Sequence, residues 1–391
     1  MRPEYGPAQE DELATLAAIL CRSFAAPPEV AERWYERTGV ECQRVLRKPG
    51  TGRPVASLTS LLMGQYFGGR RVPMAGVAAV GCAPEHRGGG AATRLMQSHV
   101  RELGGNGVAL SMLYPATVPL YRRVGYGVAG ARFELKLPLR GIDVRDRALS
   151  LRPIAPDEDV AELYAAHARG RSGWLDRHAH LTGRIRRGSD GDAEGYVIQG
   201  ERGPEGYLFL TRVRNDALGH YDLRLSDVVT LTAGAGRRVL GFLADHGSLG
   251  DTATWFGGPA DPLLSLLSEP RAEVRRFGSW MLRMVNVPAA LEARGWPLGV
   301  SASLHLEVDD DLLSSNRGRF VVDIEGGSAR VRSGGDGHLS LDVRDLAPLF
   351  TGYESATALA ALGRLRSSSD RAVALANAAF AGPFPACPDV F

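Results

Sequence analysis

The stretch from Val80 to Ala92 constrains the fold more than any other part of this chain. It reads VGCAPEHRGGGAA: a short apolar segment, a turn containing Pro84, and the three glycines Gly88–Gly90 in front of a helix pattern. Glycines let a ligand approach the backbone, and a helix start adds free N–H groups and the positive end of the helix dipole. Arg87 can add charge-assisted hydrogen bonds. The pattern predicts a strand, a loop and a helix that hold a phosphate or diphosphate.

Two common phosphate-binding motifs do not match this loop. Neither the dinucleotide fingerprint GxGxxG nor the P-loop GxxxxGK[ST] occurs there. The spacing present is Arg87-x-x-Gly90-x-Ala92, directly after a strand that ends in Ala-Pro. A tight turn alone would also explain the glycines, so a purely structural loop remains an alternative at this point.

A tyrosine motif follows further along the chain. Tyr121 stands four residues before the Gly125-Tyr126 pair in LYRRVGY. A phenol with a pKa near 10 can pass its proton to a thiolate of pKa about 8.5–9 when the two are held in hydrogen-bond contact. The alternative is that Tyr121 is an amphipathic core residue, and Tyr126 is interpreted as structural.

Hydrophobic periodicity predicts layers of helices and strands, which is an α/β architecture. In the first part we expect helices at 10–24 and 90–103 and strands at 55–67, 72–82, 108–114 and 126–137. A second unit from Leu151 has predicted helices at 160–168 and 235–245 and strands at 195–199, 206–213 and 221–231. A third unit, from about Arg283, has predicted strands at 301–308, 319–325, 328–332 and 338–342 and helices at 344–351, 355–364 and 368–380.

Charge and hydropathy give no reason to expect a nucleic-acid or membrane partner. The net charge is +2, without a long block of one sign. The longest apolar run, Val72 to Pro84, is too short and too rich in Gly and Pro to span a bilayer. The N-terminal stretch is polar and acidic, unlike a signal peptide. We therefore expect a cytoplasmic protein.

Cysteine and histidine spacing predicts no metal site. The cysteines, Cys21, Cys42, Cys82 and Cys387, show no CxxC spacing and are expected to be free thiols. His178-Ala179-His180 suggests a metal, but no third ligand stands near, so a surface or capping role is preferred. The basic run GRIRRG (183–188) is interpreted as a solvated face.

These motifs resemble those of a known enzyme superfamily. Arg87, Gly90 and Ala92 fit the acetyl-coenzyme A signature [RQ]xxGx[GA] of the GNAT acetyltransferases, and Tyr121 fits their tyrosine pattern. Three features resemble the Eis-type ("enhanced intracellular survival") branch: APEHRGGG (83–90), NVPAALEARG (286–295), and LFTGY…GRL (349–365) before a chain ending in Phe. The resemblance covers essentially the whole chain.

The resemblance implies a fold of two GNAT-like domains in tandem followed by an α+β domain like sterol carrier protein. The catalytic, acetyl-CoA-binding GNAT domain is expected at 1–140 and a degenerate GNAT-like domain at 141–284. The sterol-carrier-like domain, which supplies the catalytic C-terminus, is expected at 285–391. The resemblance also implies a homo-oligomer, a hexamer. Because Gly234-Ala235-Gly236-Arg237 is not followed by a tyrosine motif, the second domain is interpreted as non-catalytic.

The resemblance also implies a set of site residues. Tyr121 would protonate the leaving thiolate, and the carboxylate of Phe391 would hold and help deprotonate the amine. Acetyl-CoA would lie along residues 76–82, with the Val80 N–H facing the thioester oxygen. The cofactor-binding set is Val80, Cys82, Arg87, Gly88, Gly89, Gly90 and Ala92. The substrate-binding set is Trp34, Phe24 and Asp389, and no metal is expected.

The function expected is acetyl transfer from acetyl-CoA to a primary amine of a small molecule, by direct attack in a ternary complex. Family members acetylate aminoglycosides and other amines. Here Ala25-Ala26-Pro27 follows Phe24, and Val390 precedes the last residue, so carboxylates for a polycationic substrate are few. Two alternatives stay open: a decayed GNAT scaffold that binds an apolar ligand, and an acetyltransferase for a biosynthetic amine or a protein lysine.

Overall fold

The computed structural model describes residues 4–188, 191–269 and 271–391. These residues form two compact units. The first unit contains the chain up to Gly130, Ser279–Gly382 and Phe391, and the second contains Ala131–Gly278 and Pro383–Val390. The predicted borders after residues 140 and 284 remain predictions, because the two units are each built from separate stretches of chain.

The helices and strands have the following bounds in chain order. Up to residue 138 they are β1 (Tyr5–Pro7), α1 (Leu13–Phe24), α2 (Pro28–Thr38), β2 (Gln43–Arg47), β3 (Pro54–Phe67), β4 (Arg70–Cys82), α3 (Ala91–Gly105), β5 (Leu110–Leu113), α4 (Val118–Arg122) and β6 (Gly127–Pro138). From residue 150 to 284 they are β7 (Ser150–Pro153), α5 (Ala161–Arg169), β8 (Leu175–Asp176), α6 (Ala179–Arg187), β9 (Glu194–Gly200), β10 (Gly203–Arg214), β11 (Tyr221–Thr230), α7 (Ala233–Asp245), β12 (Gly250–Gly257) and β13 (Glu273–Met284). The remainder contains α8 (Val287–Ala293), β14 (Ala302–Asp309), β15 (Gly318–Glu325), β16 (Ser328–Ser333), β17 (Leu339–Asp342), α9 (Val343–Thr351), α10 (Ala356–Ala361), β18 (Leu365–Ser367) and α11 (Asp370–Ala379).

In the first unit, the N-terminal sheet has the order β1-β2-β3-β4-β5, followed by the C-terminal end of β13. Strands β4 and β5 are parallel, whereas β3 and β13 run antiparallel to them. Parallel neighbours need a crossover connection, and α3 provides it. Its buried face carries Leu95, Met96, Val100 and Leu103, at the spacing of one helix side. This packing fixes the start of α3 beside the end of β4.

Strand β4 contains a β-bulge. Ser57 pairs with Gly81 and Thr59 pairs with Ala78, so Leu58 alone lies opposite Ala79 and Val80. Ala79 has a φ of 50°, which a non-glycine residue seldom adopts. A bulge leaves one residue outside the regular ladder and bends the strand. Hence β4 bends at Ala79 and Val80, and its pairing with β3 resumes at Gly81 and Cys82 before the glycine loop.

The same unit contains a second sheet with the order β16-β15-β14-β17-β18, in which β14 and β17 are parallel. Helices α9 to α11 pack against it, burying Leu346, Leu349, Phe350 and Leu359. This sheet and its helices form the C-terminal α+β region.

Helix capping and packing explain several residue types in the NVPAALEARG segment (286–295). Asn286 caps α8 by accepting a hydrogen bond from the Ala289 N–H at 3.0 Å. Arg294 is buried, and its guanidinium carbon lies 4.7 Å from the ring centroid of Trp296 and 5.0 Å from that of Phe350. Burial lowers the pKa of this guanidinium to about 9. A Cβ on Gly295 would lie only 1.8 Å from the Gly68 carbonyl oxygen.

The second unit repeats the strand–helix–strand arrangement around α7. Its sheet has the order β6-β12-β11-β10-β9-β7, and β11 and β12 are parallel. The core between this sheet and α7 includes Leu137, Leu223, Val239, Leu243 and Trp255. Within the described ranges, none of the helices combines the length and hydropathy required to cross a membrane.

Candidate active site

Helix α3 begins without a side-chain cap. Gly90 is its N-cap residue and has a φ of 76°, a conformation that costs glycine little. Gly88 has a φ of 78°, and all three glycines are exposed. The first N–H groups of a helix have no acceptor within the helix, so here they remain available to a ligand. The predicted diphosphate-binding residues Gly88, Gly89, Gly90 and Ala92 therefore form an exposed helix start, which is suited to binding a diphosphate.

Helix α7, which corresponds to α3 in the second unit, has a side-chain cap at its start. The Thr232 hydroxyl accepts a hydrogen bond from the Ala235 N–H at 3.1 Å. Ala235 and Gly236 are buried, and a Cβ on Gly236 would lie 2.5 Å from Cδ1 of Leu266. One of the first N–H groups of this helix is thus already engaged, and the Gly236 position leaves no space for a ligand. This supports the interpretation of the second unit as non-catalytic.

Arg87 lies at the loop but points back along the end of β4. Its Nε donates to the Cys82 carbonyl at 3.4 Å and its Nη2 to the Arg22 carbonyl at 3.3 Å. Both bonds are long and the side chain is exposed, so an anion on the loop can compete for the guanidinium. Burial raises the pKa of the Cys82 thiol, which disfavours a reactive thiolate.

Tyr121 lies on α4 with its side chain buried. The residue is 4% exposed, and its ring packs edge to face on Tyr126 with centroids 6.1 Å apart. Burial raises the pKa of Tyr121 to about 12. Among the residues that the structure describes, none forms a hydrogen bond with the Tyr121 hydroxyl. By contrast, the Tyr126 hydroxyl is 2.7 Å from Oγ of Ser111. The Tyr121 hydroxyl is thus available to a ligand, whereas the Tyr126 hydroxyl is engaged within the core.

The bulged strand and the tyrosine share one core. Val80 and Cys82 pack against the cluster of buried residues that contains Tyr121 and Tyr126. The bulge, the open start of α3 and the free phenol therefore belong to one region of the first unit.

Phe391 packs against the same sheet. A Cβ added to Gly76 on β4 would lie 2.8 Å from Cε2 of the Phe391 ring, so the missing side chain makes room for that ring. The ring also meets Tyr114 edge to face, with centroids 6.1 Å apart. This fixes the ring beside β4, a few residues before the bulge.

The two predicted aromatic substrate contacts differ in their surroundings. Trp34 on α2 is half-buried, and its indole N–H donates to Oγ1 of Thr59 at 2.9 Å. Thr59 in turn donates to the Gln43 side chain at 2.7 Å. Phe24, the last residue of α1, is 51% exposed. Trp34 is therefore held rigidly near the bulge, while Phe24 presents an open apolar surface.

Asp389, the third predicted substrate contact, lies in the second unit and is buried. Its carboxylate is 3.0 Å from Nη2 of Arg177, which also pairs with Asp227 at 2.6 Å. The Tyr164 hydroxyl lies 3.4 Å from the same carboxylate. Sequence reasoning missed Arg177, which pairs with this carboxylate and with that of Asp227 and so anchors the tail. No local pattern indicates a pair so far apart in the chain.

The structure also shows the surroundings of His178 and His180. His178 is the N-cap of α6, and its Nδ1 accepts a hydrogen bond from the His180 N–H at 3.2 Å. This agrees with the capping role preferred over a metal.

Comparison with known proteins agrees with this geometry. Residues 4–129 and 167–284 each match a family profile described as an acetyltransferase (GNAT) domain, and residues 287–388 match a sterol carrier protein domain. The fold and the site together define a GNAT N-acetyltransferase, a class that uses acetyl-CoA as co-substrate. The predicted fold class, two GNAT domains in tandem with a C-terminal sterol-carrier domain, is confirmed.

Full-length relatives identify the branch. The N-acetyltransferase Eis of Mycobacterium tuberculosis is 30% identical over 96% of both chains. This chain accordingly belongs to the Eis-type family of N-acetyltransferases. A crystal structure of a GCN5-related N-acetyltransferase from Anabaena variabilis is 38% identical, with a TM-score of 0.94 over 99% of both chains. A GCN5-related N-acetyltransferase from Kribbella flavida is 26% identical, with a TM-score of 0.86 over 99% of this chain and 98% of that one.

Proposed function

We propose that this enzyme transfers the acetyl group of acetyl-CoA directly to a primary amine of a small molecule, in a ternary complex. The observation that supports it most is the Tyr121 phenol, whose ring is buried in the core of the first unit while its hydroxyl has no hydrogen-bond partner among the described residues. The Tyr121 oxygen is not among the fully buried polar atoms of the described residues, so a ligand can reach it and the hydroxyl is free to donate its proton.

The donor would be held by the strand end and the loop. The diphosphate would accept hydrogen bonds from backbone N–H groups at Gly88–Gly90 and Ala92, with Arg87 turning from its two long carbonyl contacts toward the anion. The pantetheine arm would pair with β4 at its bulge, near Cys82. The Val80 N–H would then stabilise the developing negative charge on the thioester oxygen.

The amine would attack the thioester carbon and expel the thiolate. We propose that the Phe391 carboxylate orients the incoming ammonium and helps remove its proton, because its ring is fixed in the Gly76 gap on the same strand. Tyr121 would donate its proton to the leaving sulfur. Direct attack is favoured over an acetyl-cysteine intermediate because burial raises the pKa of the Cys82 thiol.

The acceptor we propose is an amine of low total charge with an aromatic or alkyl body. Phe24 is 51% exposed and Trp34 is half-buried, and both offer apolar surface on the first unit. A polycationic aminoglycoside would need carboxylates around it, and neither of these two residues supplies one.

The test is CoA release measured with a panel of aryl-alkyl monoamines, polyamines, aminoglycosides and a lysine-containing peptide. We expect turnover with the monoamines and intersecting double-reciprocal plots, which indicate a ternary complex. Parallel plots would indicate an acetyl-enzyme, and Cys82→Ser would then abolish turnover. Binding of acetyl-CoA without CoA release from any amine would overturn the proposal in favour of a decayed scaffold.

A further inference from the structure

The C-terminal α+β region contains a cluster of two imidazoles and a carboxylate that the acetyltransferase site does not use. His305 lies on β14, and Asp336 and His338 lie on the loop that leads into β17. One ligand atom from each residue lies within 4.8 Å of the other two. The rings of His305 and His338 stack, with centroids 5.1 Å apart and an interplanar angle of 27°.

The atoms that converge in this cluster are acceptors. Nδ1 of His305 accepts a hydrogen bond from the Asp336 backbone N–H at 3.0 Å, so that nitrogen carries a lone pair. It lies only 3.1 Å from Oδ2 of the Asp336 carboxylate. Two acceptor atoms at this distance repel each other unless a cation lies between them or beside them.

The tautomer of the second histidine adds a third acceptor. Nδ1 of His338 is 2.9 Å from Oγ of Ser368, which is the hydrogen bond that a metal-binding histidine makes through its other ring nitrogen. With the proton on Nδ1, the lone pair of Nε2 faces Oδ2 of Asp336 at 3.6 Å. Both ring systems are thus oriented for binding a cation.

The separations match a tetrahedral metal ion. Zinc bonds of about 2.0–2.1 Å to nitrogen and oxygen place neighbouring ligands roughly 3.4 Å apart. The two distances to Asp336 Oδ2, 3.1 and 3.6 Å, lie on either side of this value. His338 is 46% and Asp336 69% exposed at the side chain, so a fourth position is open to water.

The loop is shaped to lie against His305. A Cβ on Gly335 would be 3.0 Å from Nδ1 of His305 and 2.4 Å from Cγ2 of Val321, so a larger residue there would push the loop away. Gly335 has a φ of 94°, in the region that favours glycine. The close approach of Asp336 to His305 is therefore built into the loop.

We propose that His305, Asp336 and His338 bind one divalent transition-metal ion, with zinc as the fitting probe. Imidazole and carboxylate ligands suit zinc and its neighbours, whereas magnesium and calcium prefer oxygen alone. The ion would replace the Asp336 N–H contact to His305 and link β14, the loop and, through Ser368, the end of β18. Its role would be to stabilise the sheet of this region, apart from acetyl transfer.

The experiment uses the full chain, freed of metal with a chelator and dialysed. Calorimetric titration with zinc chloride and metal analysis after gel filtration should give one zinc per chain, and cobalt should give the visible bands of a tetrahedral site. Asp336→Asn and His338→Gln should abolish this stoichiometric binding. His220→Gln, which alters a histidine paired with Asp251 at 3.0 Å, should retain it.

Thermal unfolding without metal shows whether each variant is folded. Zinc should raise the Tm of the parent and of His220→Gln but not that of Asp336→Asn. Absence of stoichiometric zinc in the folded parent, or its persistence in folded Asp336→Asn, would overturn the proposal. If a proton shared between His305 and Asp336, and not a metal ion, holds these two groups together, the parent will bind no zinc, which would also overturn the proposal. Because the experiment measures metal content, a failure of the zinc proposal can be told apart from a failure of the proposed acetyl transfer.

Discussion

The ring of Phe391 occupies the space that a side chain at Gly76 would fill. A Cβ at position 76 would lie 2.8 Å from Cε2 of that ring and 2.9 Å from Cε of Met63. Gly76 sits on β4, where it pairs with Leu61 on one side and Met112 on the other. The last residue of the sequence is thus fitted to a central strand of the first unit.

We therefore expect Gly76→Ala to displace the Phe391 ring and lower kcat. A misplacement of about 1 Å at a reacting group costs on the order of 10²-fold in rate. The measurement is kcat with saturating acetyl-CoA, alongside a thermal unfolding curve. Gly278→Ala is the matched control, since it also lies in a strand but nothing lies within 4 Å of its added Cβ. Unchanged kcat in folded Gly76→Ala would contradict a role for the Phe391 carboxylate.

Replacement of Tyr121 by Phe should lower kcat by roughly 10²–10⁴, the usual contribution of a general acid, with little change in protein stability. Stability should hold because the hydroxyl makes no hydrogen bond within the described residues. Tyr126→Phe is the matched control: it leaves the buried Ser111 hydroxyl unpaired, costing about 1–3 kcal/mol of stability, and keeps turnover. Equal turnover of Tyr121→Phe and the parent would exclude the acid role.

The pH dependence of turnover follows from the burial of Tyr121. Burial disfavours the charged phenolate and raises the pKa of this residue to about 12, so the proton-donating form persists in alkaline solution and is lost only as the pH passes that value. We expect no fall in kcat between about pH 8 and pH 10 that is due to Tyr121. The check is a kcat–pH profile of the parent beside Tyr121→Phe. An alkaline decline present in the parent and absent from the variant would contradict the assignment.

Several elements were predictable because their patterns are local. The predicted helix at 90–103 corresponds to Ala91–Gly105, and the predicted strand at 72–82 lies within Arg70–Cys82. In both segments the apolar spacing and the flanking glycines mark the ends. The glycine loop joins these two elements, so this part of the first GNAT domain could be predicted from sequence.

Other elements gave no such signal. Strand β12, Gly250–Gly257, was missed because its residues alternate with small polar ones, and α6 was missed in an Arg- and Gly-rich stretch. The β-bulge at Ala79 follows from pairing with another strand and has no local marker. The burial of Asp389 depends on Arg177, a partner that only the folded chain brings near.

The NVPAALEARG segment (286–295) allows a prediction about stability rather than catalysis. Gly295→Ala should strongly destabilise the protein, because its Cβ would lie 1.8 Å from the Gly68 carbonyl oxygen, and backbone cannot swing aside as a side chain can. Forced contacts in packed regions cost about 1–3 kcal/mol or more. Gly299→Ala, with nothing within 4 Å of the added Cβ, should unfold like the parent. The measurement is the midpoint of urea denaturation followed by tryptophan fluorescence. Since Gly295 also donates its N–H to the Phe67 carbonyl at 3.0 Å, equal midpoints for Gly295→Ala and the parent would mean that this backbone contact is not formed in solution.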